Sequence, residues 1–462
     1  MKVLLINPGW KINRINLWSK VSSCYPSLGL AYIAAVLEQD KHKVFFIDMQ
    51  AENYSVDDVK QILDDEAYFD LDFVGITATT PLINCAYDLA KMIKTKFTKA
   101  VIVFGGTHPS VMPEEVLGNS DVDLVVLGEG EATMREVVAK KPLSEILGIS
   151  YRGDKGIIRN KDRPYIEDLD SLPTPAYHLM PIDKYRPAIG SYKQLPAMSL
   201  FATRGCPGQC GFCNRTFRGR VRSKSAKNIL KEVKLLRDKY GIKEVSFYDD
   251  NFTVLRGTLV KFCELLIKED LGITWSCFTR ANYVDRKTFE LMKKAGCHLV
   301  MMGIESGVQS ILDSMEKNLT LEQIREAVKI CKDVGIEVRT AYMLGYFGET
   351  KETMEQTLKF AMELDTDSVQ FNILTAYPGT KVWDVAKNNG WLRVKDYNYN
   401  INDLTLDIPT VSRDEILAMY SRVHRAYYLR PKILLRRLFK VRSFAQVKQE
   451  VLGALAIVMH AD

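Results

Sequence analysis

Three cysteines lie close together in the segment TRGCPGQCGFCNR, residues 203–215. Cys206, Cys210 and Cys213 have the spacing C-x3-C-x2-C, and a proline and two glycines between them favour a bent loop on which the sulfurs converge. Thiolates are soft ligands that select iron–sulfur clusters or zinc. The spacing therefore predicts a metal centre of one of these two kinds.

The rest of the chain offers no evident fourth ligand for this loop. A structural zinc site normally has four ligands, but no histidine lies close in sequence to the triplet. The other cysteines occur singly and are expected to be core residues; they stand at positions 24, 85, 263, 277, 297 and 331. Three cysteines on an iron–sulfur cluster leave one iron open, and an open metal position is a catalytic device.

Strands and helices alternate around and after the cysteine segment. Apolar runs followed by amphipathic stretches indicate parallel strands joined by helices. Predicted strands cover 244–250, 274–280, 298–306, 338–346 and 368–380, and predicted helices cover 226–239, 285–295, 321–334 and 351–364. With the strand before Cys206 this makes about six βα units. Polar residues stand at the strand ends, which is where barrels of parallel strands and helices carry their catalytic residues.

The first third of the chain has the same alternation and predicts an open parallel sheet. Predicted strands cover 3–7, 44–48, 73–77, 100–106 and 123–131, with helices over 28–39 and 83–97. The strands end in NPG (7–9), TATTP (77–81), GGTHPS (105–110) and GEGEAT (128–133). These ends, where open sheets bind ligands, suit a large, flat, polar-edged molecule. No GxGxxG motif follows the first strand, so a dinucleotide is disfavoured.

The composition is typical of a soluble globular protein of two or three domains. The chain has 462 residues and a net charge of +6, which is too mild to argue for a nucleic-acid partner. No stretch approaches the roughly 18 apolar residues of a membrane span, and the start MKVLLINPGW does not resemble a signal peptide. With nine cysteines, these features predict a reducing, cytoplasmic location.

Two further segments differ from the α/β pattern. Residues 152–198 are charged and rich in proline, which predicts a connector. Residues 400–462 lack strands and predict helices, with a basic cluster of Arg430, Lys432, Arg436, Arg437, Lys440 and Arg442 among leucines and a phenylalanine. Such a helix can lie on a membrane surface, or it can pack on the barrel with a solvated basic face.

The cysteine spacing, with the aromatic Phe212 before the last cysteine, resembles the signature of the radical SAM superfamily. The resemblance implies a partial (βα)6 barrel and a 4Fe–4S cluster on the triplet whose fourth iron chelates S-adenosylmethionine (SAM). One electron would cleave SAM to a 5′-deoxyadenosyl radical that abstracts hydrogen. The implied SAM-binding residues are Phe212, Asp249, Asp250, Asn251, Arg280, Glu305, Ser306 and Lys317. Residues 249–251 are expected towards the SAM ammonium, and Lys317 towards its carboxylate.

The N-terminal third resembles the Rossmann-like cobalamin-binding domain that precedes many radical SAM domains, through PSLGLAYIAAVLE (26–38), Asp48, GGTHPS and LGEGE (127–131). The implied cobalamin contacts are Asn7, Pro8, Thr79, Thr80, Gly105, Gly106, Thr107, His108, Gly128, Glu129 and Gly130. The Asp-x-His-x-x-Gly signature that supplies a histidine to cobalt in methionine-synthase-like domains is missing. The resemblance therefore implies cobalamin with its own base displaced and no histidine ligand, and His108 as a pocket residue.

Over nearly the whole chain the resemblance is to the group of the anaerobic magnesium-protoporphyrin IX monomethyl ester cyclase and the class B radical SAM methyltransferases. It implies a cobalamin-binding domain at 1–145, a linker at 146–195, a radical SAM domain at 196–395 and a helical C-terminal region at 396–462. The first hypothesis is a methyltransferase in which the radical abstracts a substrate hydrogen, methylcobalamin supplies the methyl group, and a second SAM replaces it.

Three alternatives stay open at this point. One is an oxidative cyclase or ring-rearranging enzyme of the same architecture, without methyl transfer. A methylthiotransferase is weaker, because only Cys24 and Cys85 precede the triplet. The third is a non-catalytic cobalamin or iron–sulfur sensor. The expected partners are a small-molecule, lipid, tetrapyrrole or peptide substrate and an electron donor such as flavodoxin or ferredoxin, with membrane contact through the basic helix as a further hypothesis.

Overall fold

The computed structural model of the protein describes residues 1–10, 23–188, 190–214, 216–217, 219–394, 397 and 402–440. Contacts divide the chain into two compact units, the first formed mainly by Cys24–Tyr185 and the second mainly by Arg186–Val394. Tyr397 belongs to the first unit, and the C-terminal helices belong to the second. The domain limits at 145, 195 and 395 stay predictions.

The first unit is built on a seven-stranded sheet in the order β2-β1-β3-β4-β5-β6-β7. In chain order the strands β1 to β7 are Lys2–Asn7, Lys43–Asp48, Phe73–Thr77, Val101–Gly105, Leu124–Val126, Ile149–Gly153 and Gly156–Arg159. Strands β1 to β5 are parallel, which confirms the predicted open parallel sheet. Strands β6 and β7 form an antiparallel hairpin that extends one edge.

Helices cover both faces of this sheet. In chain order, α1 to α7 are Leu28–Gln39, Met49–Glu52, Val56–Ile62, Ile83–Lys96, Thr107–Val111, Pro113–Leu117 and Glu131–Val138. Successive residues of β1 point to opposite faces, so Leu4 and Ile6 pack in one core with α4, whereas Val3 and Leu5 pack in the other with α1 and α7. Burial on both faces explains why the strands are continuous apolar runs in the sequence.

The second unit contains a six-stranded, all-parallel sheet in the order β15-β14-β13-β12-β11-β8. Its strands are Ala197–Leu200 (β8), Glu244–Phe247 (β11), Thr274–Thr279 (β12), Cys297–Glu305 (β13), Glu337–Leu344 (β14) and Ser368–Ile373 (β15). Sequential strand neighbours with β8 and β15 at the edges form the predicted partial (βα)6 barrel. A short antiparallel pair, Thr203–Arg204 (β9) and Arg222–Ser223 (β10), brackets the cysteine segment in the chain.

Helices follow the strands of the barrel as βα alternation requires. Helices α8 to α14 are Ala226–Tyr240, Arg256–Glu269, Arg286–Lys294, Gln309–Ser314, Leu321–Val334, Lys351–Leu364 and Lys381–Asn388. Two of the predicted helices, 321–334 and 351–364, have the bounds that the sequence indicated. For α12 the reason is local: Thr320 caps its first turn in a capping box with Gln323, and Gly335 ends it at φ +79°.

The described part of the C-terminal region is helical, as predicted, with α15 at Arg413–Tyr428 and α16 at Pro431–Lys440. Three cations of its basic cluster face one carboxylate at the end of α13, because Arg430, Lys432 and Arg436 all lie beside Asp365. Among the described residues no helix is long and apolar enough to cross a membrane. Residues 441–462, including Arg442, and the side chains of Arg437 and Lys440 lie outside the described part.

A buried carboxyl group organises the loop after β14. Both oxygens of Glu349 are shielded from solvent, and one accepts hydrogen bonds from the backbone N–H groups of Gly345 and Tyr346, at 2.6 and 3.1 Å. Burial raises the pKa of Glu349 to about 7, and these two hydrogen bonds partly offset the rise. The folded protein therefore holds a proton on Glu349 at pH values where an unfolded chain has lost it.

This difference in pKa predicts a pH-dependent stability that Glu349→Gln should remove. Because the folded-state pKa lies above the ordinary value of 4.5, Glu349 lowers the free energy of unfolding as the pH rises from about 4.5 to 7. Between these pH values the wild type should lose up to about 3 kcal/mol more of its free energy of unfolding than Glu349→Gln does. Urea unfolding of both cofactor-free proteins at pH 5 and pH 8 measures it; the same pH dependence in both proteins would contradict this account.

Candidate functional site

The three predicted cysteine ligands lie on one loop of the second unit. Cys210 is buried, Cys206 is partly buried and Cys213 is exposed. The N–H of Gly208 donates a hydrogen bond to the Cys206 sulfur at 3.4 Å. The backbone of Gly211 pairs on both sides, because its N–H donates to the Met315 carbonyl and its carbonyl accepts from the Val382 N–H, each at 3.0 Å. Two segments therefore hold the loop in place: the turn that follows α11 and the first turn of α14.

Two glycines in this loop are closely packed, and the first is required by a backbone contact. Gly205, directly before the first cysteine, has φ +96°, and a Cβ there would lie 2.0 Å from the carbonyl oxygen of Arg220. A Cβ on Gly208 would lie 2.8 Å from Nη1 of Arg280. Gly205 is not among the predicted site residues, although a glycine adjacent to a cysteine ligand was the available signal.

Charges on neighbouring strand ends surround the sulfurs. Desolvation by surrounding protein atoms raises the pKa of the Cys213 thiol to about 11, the nearby Cys210, Asp250 and Cys206 add to the rise, and Lys317 opposes it. Desolvation by surrounding protein atoms also raises the pKa of the Asp250 carboxyl, whereas a hydrogen bond from the backbone N–H of Gly205 lowers it. Cationic groups are therefore needed to hold the thiolate form here.

Arg280 and Lys317 are two cations that contact this loop. Nη1 of Arg280, at the end of β12, donates to the Cys210 sulfur at 3.4 Å, and its Nη2 donates to the Lys317 carbonyl. The Lys317 ammonium lies 5.7 Å from the centre of the Phe212 ring. The structure thus brings together four of the predicted site residues, namely Cys210, Phe212, Arg280 and Lys317.

Lys317 is held in place by a buried ion pair. Its Nζ donates to Glu305 Oε1 at 2.7 Å, and both residues are less than a tenth exposed. Glu305 ends β13 at φ +72°, at an irregularity in its pairing with β14, and its carboxylate folds back over Gly303. A left-handed glutamate in a bulge is a strained arrangement of the kind that collects at functional sites. Sequence alone did not indicate this pairing, because it depends on the bulge.

Asp249 and Asn251 are more deeply buried than a strand-end pattern suggests. One oxygen of Asp249 accepts from the backbone N–H of Ala202, at 3.0 Å, and of Thr203, so it supports the segment leading into the cysteine loop. Burial raises the Asp249 pKa to about 7. Asn251 is fully buried, and its Nδ2 has no hydrogen-bond partner among the described residues. An unpartnered buried amide is a group that a bound ligand can satisfy.

The remaining predicted residue of this set, Ser306, packs away from the loop. Its hydroxyl lies 3.2 Å from the Thr357 hydroxyl on α13 and accepts from the Val308 N–H at 3.2 Å. Ser306 is fully buried. Its described contacts are those of a residue that fixes the turn after β13.

The thiol loop fits an iron–sulfur cluster. In the described residues no three His, Cys, Asp or Glu side chains are placed to hold a single metal ion. A cubane cluster does not need that geometry, since each thiolate binds its own iron. The N–H of Gly208 and the Arg280 guanidinium already donate to two of the sulfurs, which is the environment that cluster sulfurs favour.

In the first unit, the ends of β1 and β2 share a buried polar network. Asp48 accepts from Asn7 Nδ2 and from the Tyr185 hydroxyl, both at 2.9 Å. It also caps α2 through the backbone N–H groups of Gln50 and Ala51. Burial raises the Asp48 pKa, and these hydrogen bonds partly offset the rise. The Pro8 carbonyl accepts from the Gln50 side chain at 3.0 Å.

His108 is fully buried under the ends of β3 and β4. Its Nδ1 lies 3.0 Å from the Thr80 hydroxyl and its Nε2 lies 3.1 Å from Glu115. The Tyr397 ring meets the imidazole edge-on, with the ring centres 4.6 Å apart. Both ring nitrogens are thus engaged within the protein, which leaves neither for a metal. Tyr185 and Tyr397 were missed by the sequence analysis, since each is distant in sequence from the strand end it contacts.

Small residues line the other strand ends of the first unit. Thr79 and Gly128 are exposed, and Gly105, Gly106, Thr107, Glu129 and Gly130 are partly exposed. Gly106 has φ +97°, and a Cβ there would lie 2.7 Å from the Thr77 hydroxyl. A Cβ on Gly130 would meet Ile33 at 2.8 Å, and Glu129 accepts from the Ile166 N–H at 2.7 Å. Low, glycine-rich strand ends of this kind fit a large planar ligand such as cobalamin.

The geometry of the cysteine loop predicts that Gly205→Ala is disruptive. The added Cβ would collide with the Arg220 carbonyl and demand a left-handed alanine, which costs roughly 1–3 kcal/mol or more. We expect lower stability in urea and less iron bound after anaerobic reconstitution.

Gly257→Ala is the matched control, because no atom lies within 4 Å of its added Cβ on α9. It should leave iron binding intact and keep stability equal or raise it by about 0.4–1 kcal/mol. Equal iron content in the two variants would show that the loop does not need its glycine.

Two family matches cover most of the chain. Residues 200–361 match the radical SAM superfamily, and residues 17–138 match the B12 binding domain. The first match contains the cysteine loop and every residue of the candidate site from Phe212 to Lys317. The second contains the ends of β2 to β5 in the first unit.

Curated relatives extend the likeness to full length. The chain is 35% identical to an uncharacterised methyltransferase of Pyrococcus horikoshii, over 100% of this chain and 99% of that protein. It is 29% identical to the anaerobic magnesium-protoporphyrin IX monomethyl ester cyclase of Rubrivivax gelatinosus, over 94% of this chain and 78% of that protein.

A solved structure has the same fold. The cobalamin-dependent SAM radical enzyme OxsB, with aqua-cobalamin and SAM bound, superposes with a TM-score of 0.75 at 18% identity, covering 99% of this chain and 71% of OxsB. Together the matches confirm the family predicted from the cysteine spacing and the N-terminal strand ends. The chain belongs to the radical SAM enzymes that carry a B12-binding domain, and its cofactors are a 4Fe–4S cluster, SAM and cobalamin.

Proposed function

We propose that this chain is a cobalamin-dependent radical SAM methyltransferase that acts on an unactivated carbon or phosphorus centre. The observation that carries the proposal is the likeness, over the whole of both chains, to a relative named a methyltransferase. The SAM-derived radical would abstract a substrate hydrogen, methylcobalamin would supply the methyl group, and a second SAM would replace it.

In this proposal the second unit holds the cluster and SAM. Cys206, Cys210 and Cys213 ligate three irons. Arg280 and Lys317 balance the negative charge of the thiolates, which the contact of Arg280 with Cys210 and the lowering effect of Lys317 on the pKa of Cys213 support. Asp250 accepts hydrogen bonds from SAM, and Asn251 donates one through its Nδ2. The lack of a protein partner for that Nδ2 among the described residues supports this role. Ser306 positions a loop, since its hydroxyl lies beside the Thr357 hydroxyl and accepts from the Val308 N–H. One oxygen of Asp249 supports the segment before the cysteine loop, and the other, which has no partner among the described residues, is available to SAM.

The first unit binds cobalamin at its strand ends in the same proposal. Exposed Thr79 and the glycine-rich ends of β4 and β5 form the contact surface. Asn7 and His108 support this surface without forming it, because both side chains are buried. Asn7 is hydrogen-bonded to Asp48, and His108 is hydrogen-bonded to Thr80 and Glu115. Cobalt takes no histidine ligand from His108, whose two nitrogens are already engaged.

An oxidative cyclase or ring-rearranging enzyme is the second candidate, and the 29% identity to a cyclase over 94% of this chain favours it. The substrate class, whether small molecule, lipid, tetrapyrrole or peptide, is left open by both candidates. Each requires an external one-electron donor of the flavodoxin or ferredoxin type. Membrane contact through α16 also stays a hypothesis; Leu434 and Leu435 there are about half exposed.

A product assay separates the two candidates without a known substrate. The reconstituted protein, loaded with hydroxocobalamin, is incubated anaerobically with SAM and titanium(III) citrate, and nucleoside products are measured by mass spectrometry. A methyltransferase should form 5′-deoxyadenosine and also S-adenosylhomocysteine, at up to about one equivalent per cobalamin, because reduced cobalamin accepts the SAM methyl group.

One control and one contrary result fix the interpretation of this assay. Omitting the reductant should abolish both products. Formation of 5′-deoxyadenosine without S-adenosylhomocysteine would contradict methyl transfer and favour the cyclase candidate.

A further inference from the structure

Arg280, which is half-buried at the end of β12, makes an unusual set of contacts for an arginine. One terminal nitrogen donates to the sulfur of Cys210 at 3.4 Å, and the other donates to the Lys317 carbonyl. Within the described part of the chain it forms no ion pair with a carboxylate, whereas arginines on the outside of the barrel do, such as Arg286 with Asp333 at 2.6 Å. Its charge is therefore directed at a cysteine sulfur.

The geometry leaves this contact little freedom. Gly208 lies under the guanidinium so closely that a Cβ there would come within 2.8 Å of Nη1. Cys210 is only 7% exposed, so the interaction is shielded from water. Shielding strengthens the effect of a positive charge on a nearby negative group. Arginine holds the sulfur and the carbonyl with two separate nitrogens of one planar group, whereas lysine has a single nitrogen.

A donor at this position has a defined consequence for a bound cluster. Hydrogen bonds to the sulfurs and nearby charge set the reduction potential of iron–sulfur clusters. Reduction adds one negative charge, and a positive guanidinium beside a cysteine sulfur stabilises the reduced form more than the oxidised form. Removing it should make the cluster harder to reduce.

We propose that Arg280 is a positioning residue that raises the reduction potential of the 4Fe–4S cluster through its hydrogen bond to Cys210. This inference rests on the proposed ligation of the cluster by Cys206, Cys210 and Cys213. It assigns Arg280 a role on the cluster before SAM binds, which differs from the SAM contact expected from the sequence.

The test is a redox titration of the reconstituted full chain in the absence of SAM, followed by the electron paramagnetic resonance signal of the reduced cluster. The variants are Arg280→Met, which has neither charge nor donor, and Arg280→Lys, which keeps the charge. Arg286→Met is the matched control, because it removes an exposed arginine from the same barrel. Iron and sulfide per chain are measured for each protein first.

We expect Arg280→Met to retain its iron and to show about a tenfold lower ratio of reduced to oxidised cluster at a fixed potential, equivalent to a midpoint about 59 mV more negative. Arg280→Lys should shift in the same direction by less, and Arg286→Met should match the wild type. An unchanged midpoint in a fully loaded Arg280→Met protein would overturn the proposal and leave only the SAM contact.

Loss of the cluster from both Arg280 variants, with Arg286→Met fully loaded, would also overturn it, because Arg280 would then only hold the loop. If the wild type itself bound no cluster, the proposed ligation would fall first. The iron measurement therefore distinguishes failure of the function from failure of this inference.

Discussion

Holding three thiolates on one short loop is the physical constraint on which the second unit depends. Desolvation is the main cause of the raised pKa of Cys213, and the neighbouring sulfurs of Cys210 and Cys206 add to it. The chain offsets it from distant segments: the end of β12 supplies Arg280, and the turn after α11 supplies Lys317 and the Met315 carbonyl. Glu305, strained at the end of β13, then fixes Lys317. The barrel strands thus bring charges of both signs to the cysteine loop.

The first unit meets a different requirement. Its strand ends must leave room for a large ligand and must also be rigid. Glycine at 106 keeps the end of β4 close to Thr77 and Ala78. Beneath the ends lie buried polar groups that satisfy one another, Asp48 with Asn7 and Tyr185, and His108 with Thr80 and Glu115. Such satisfied networks are rigid. His108 is part of this support.

Sequence predicted those features that depend on local pattern. The cysteine spacing and the strand and helix periodicity are local, and the structure and the family matches confirm the fold and the family. The contacts that define the site are long-range and were out of reach: the bulge that turns Glu305 onto Lys317, the amides that Asp249 holds, and the tyrosines at 185 and 397 that reach the first unit's strand ends. The basic C-terminal cluster is similar, because its partner Asp365 lies about 70 positions earlier and no pattern links them.

The central claim is that one chain binds two cofactors at independent sites, an iron–sulfur cluster on the cysteine loop and cobalamin on the N-terminal sheet. Anaerobic reconstitution of the wild type and of a Cys206→Ala, Cys210→Ala, Cys213→Ala variant with iron, sulfide and hydroxocobalamin tests it directly, by metal analysis and absorption spectroscopy. The account predicts about four irons and one cobalamin in the wild type, and cobalamin alone in the variant. A wild type without cobalamin, or a variant that retains the cluster, would contradict it.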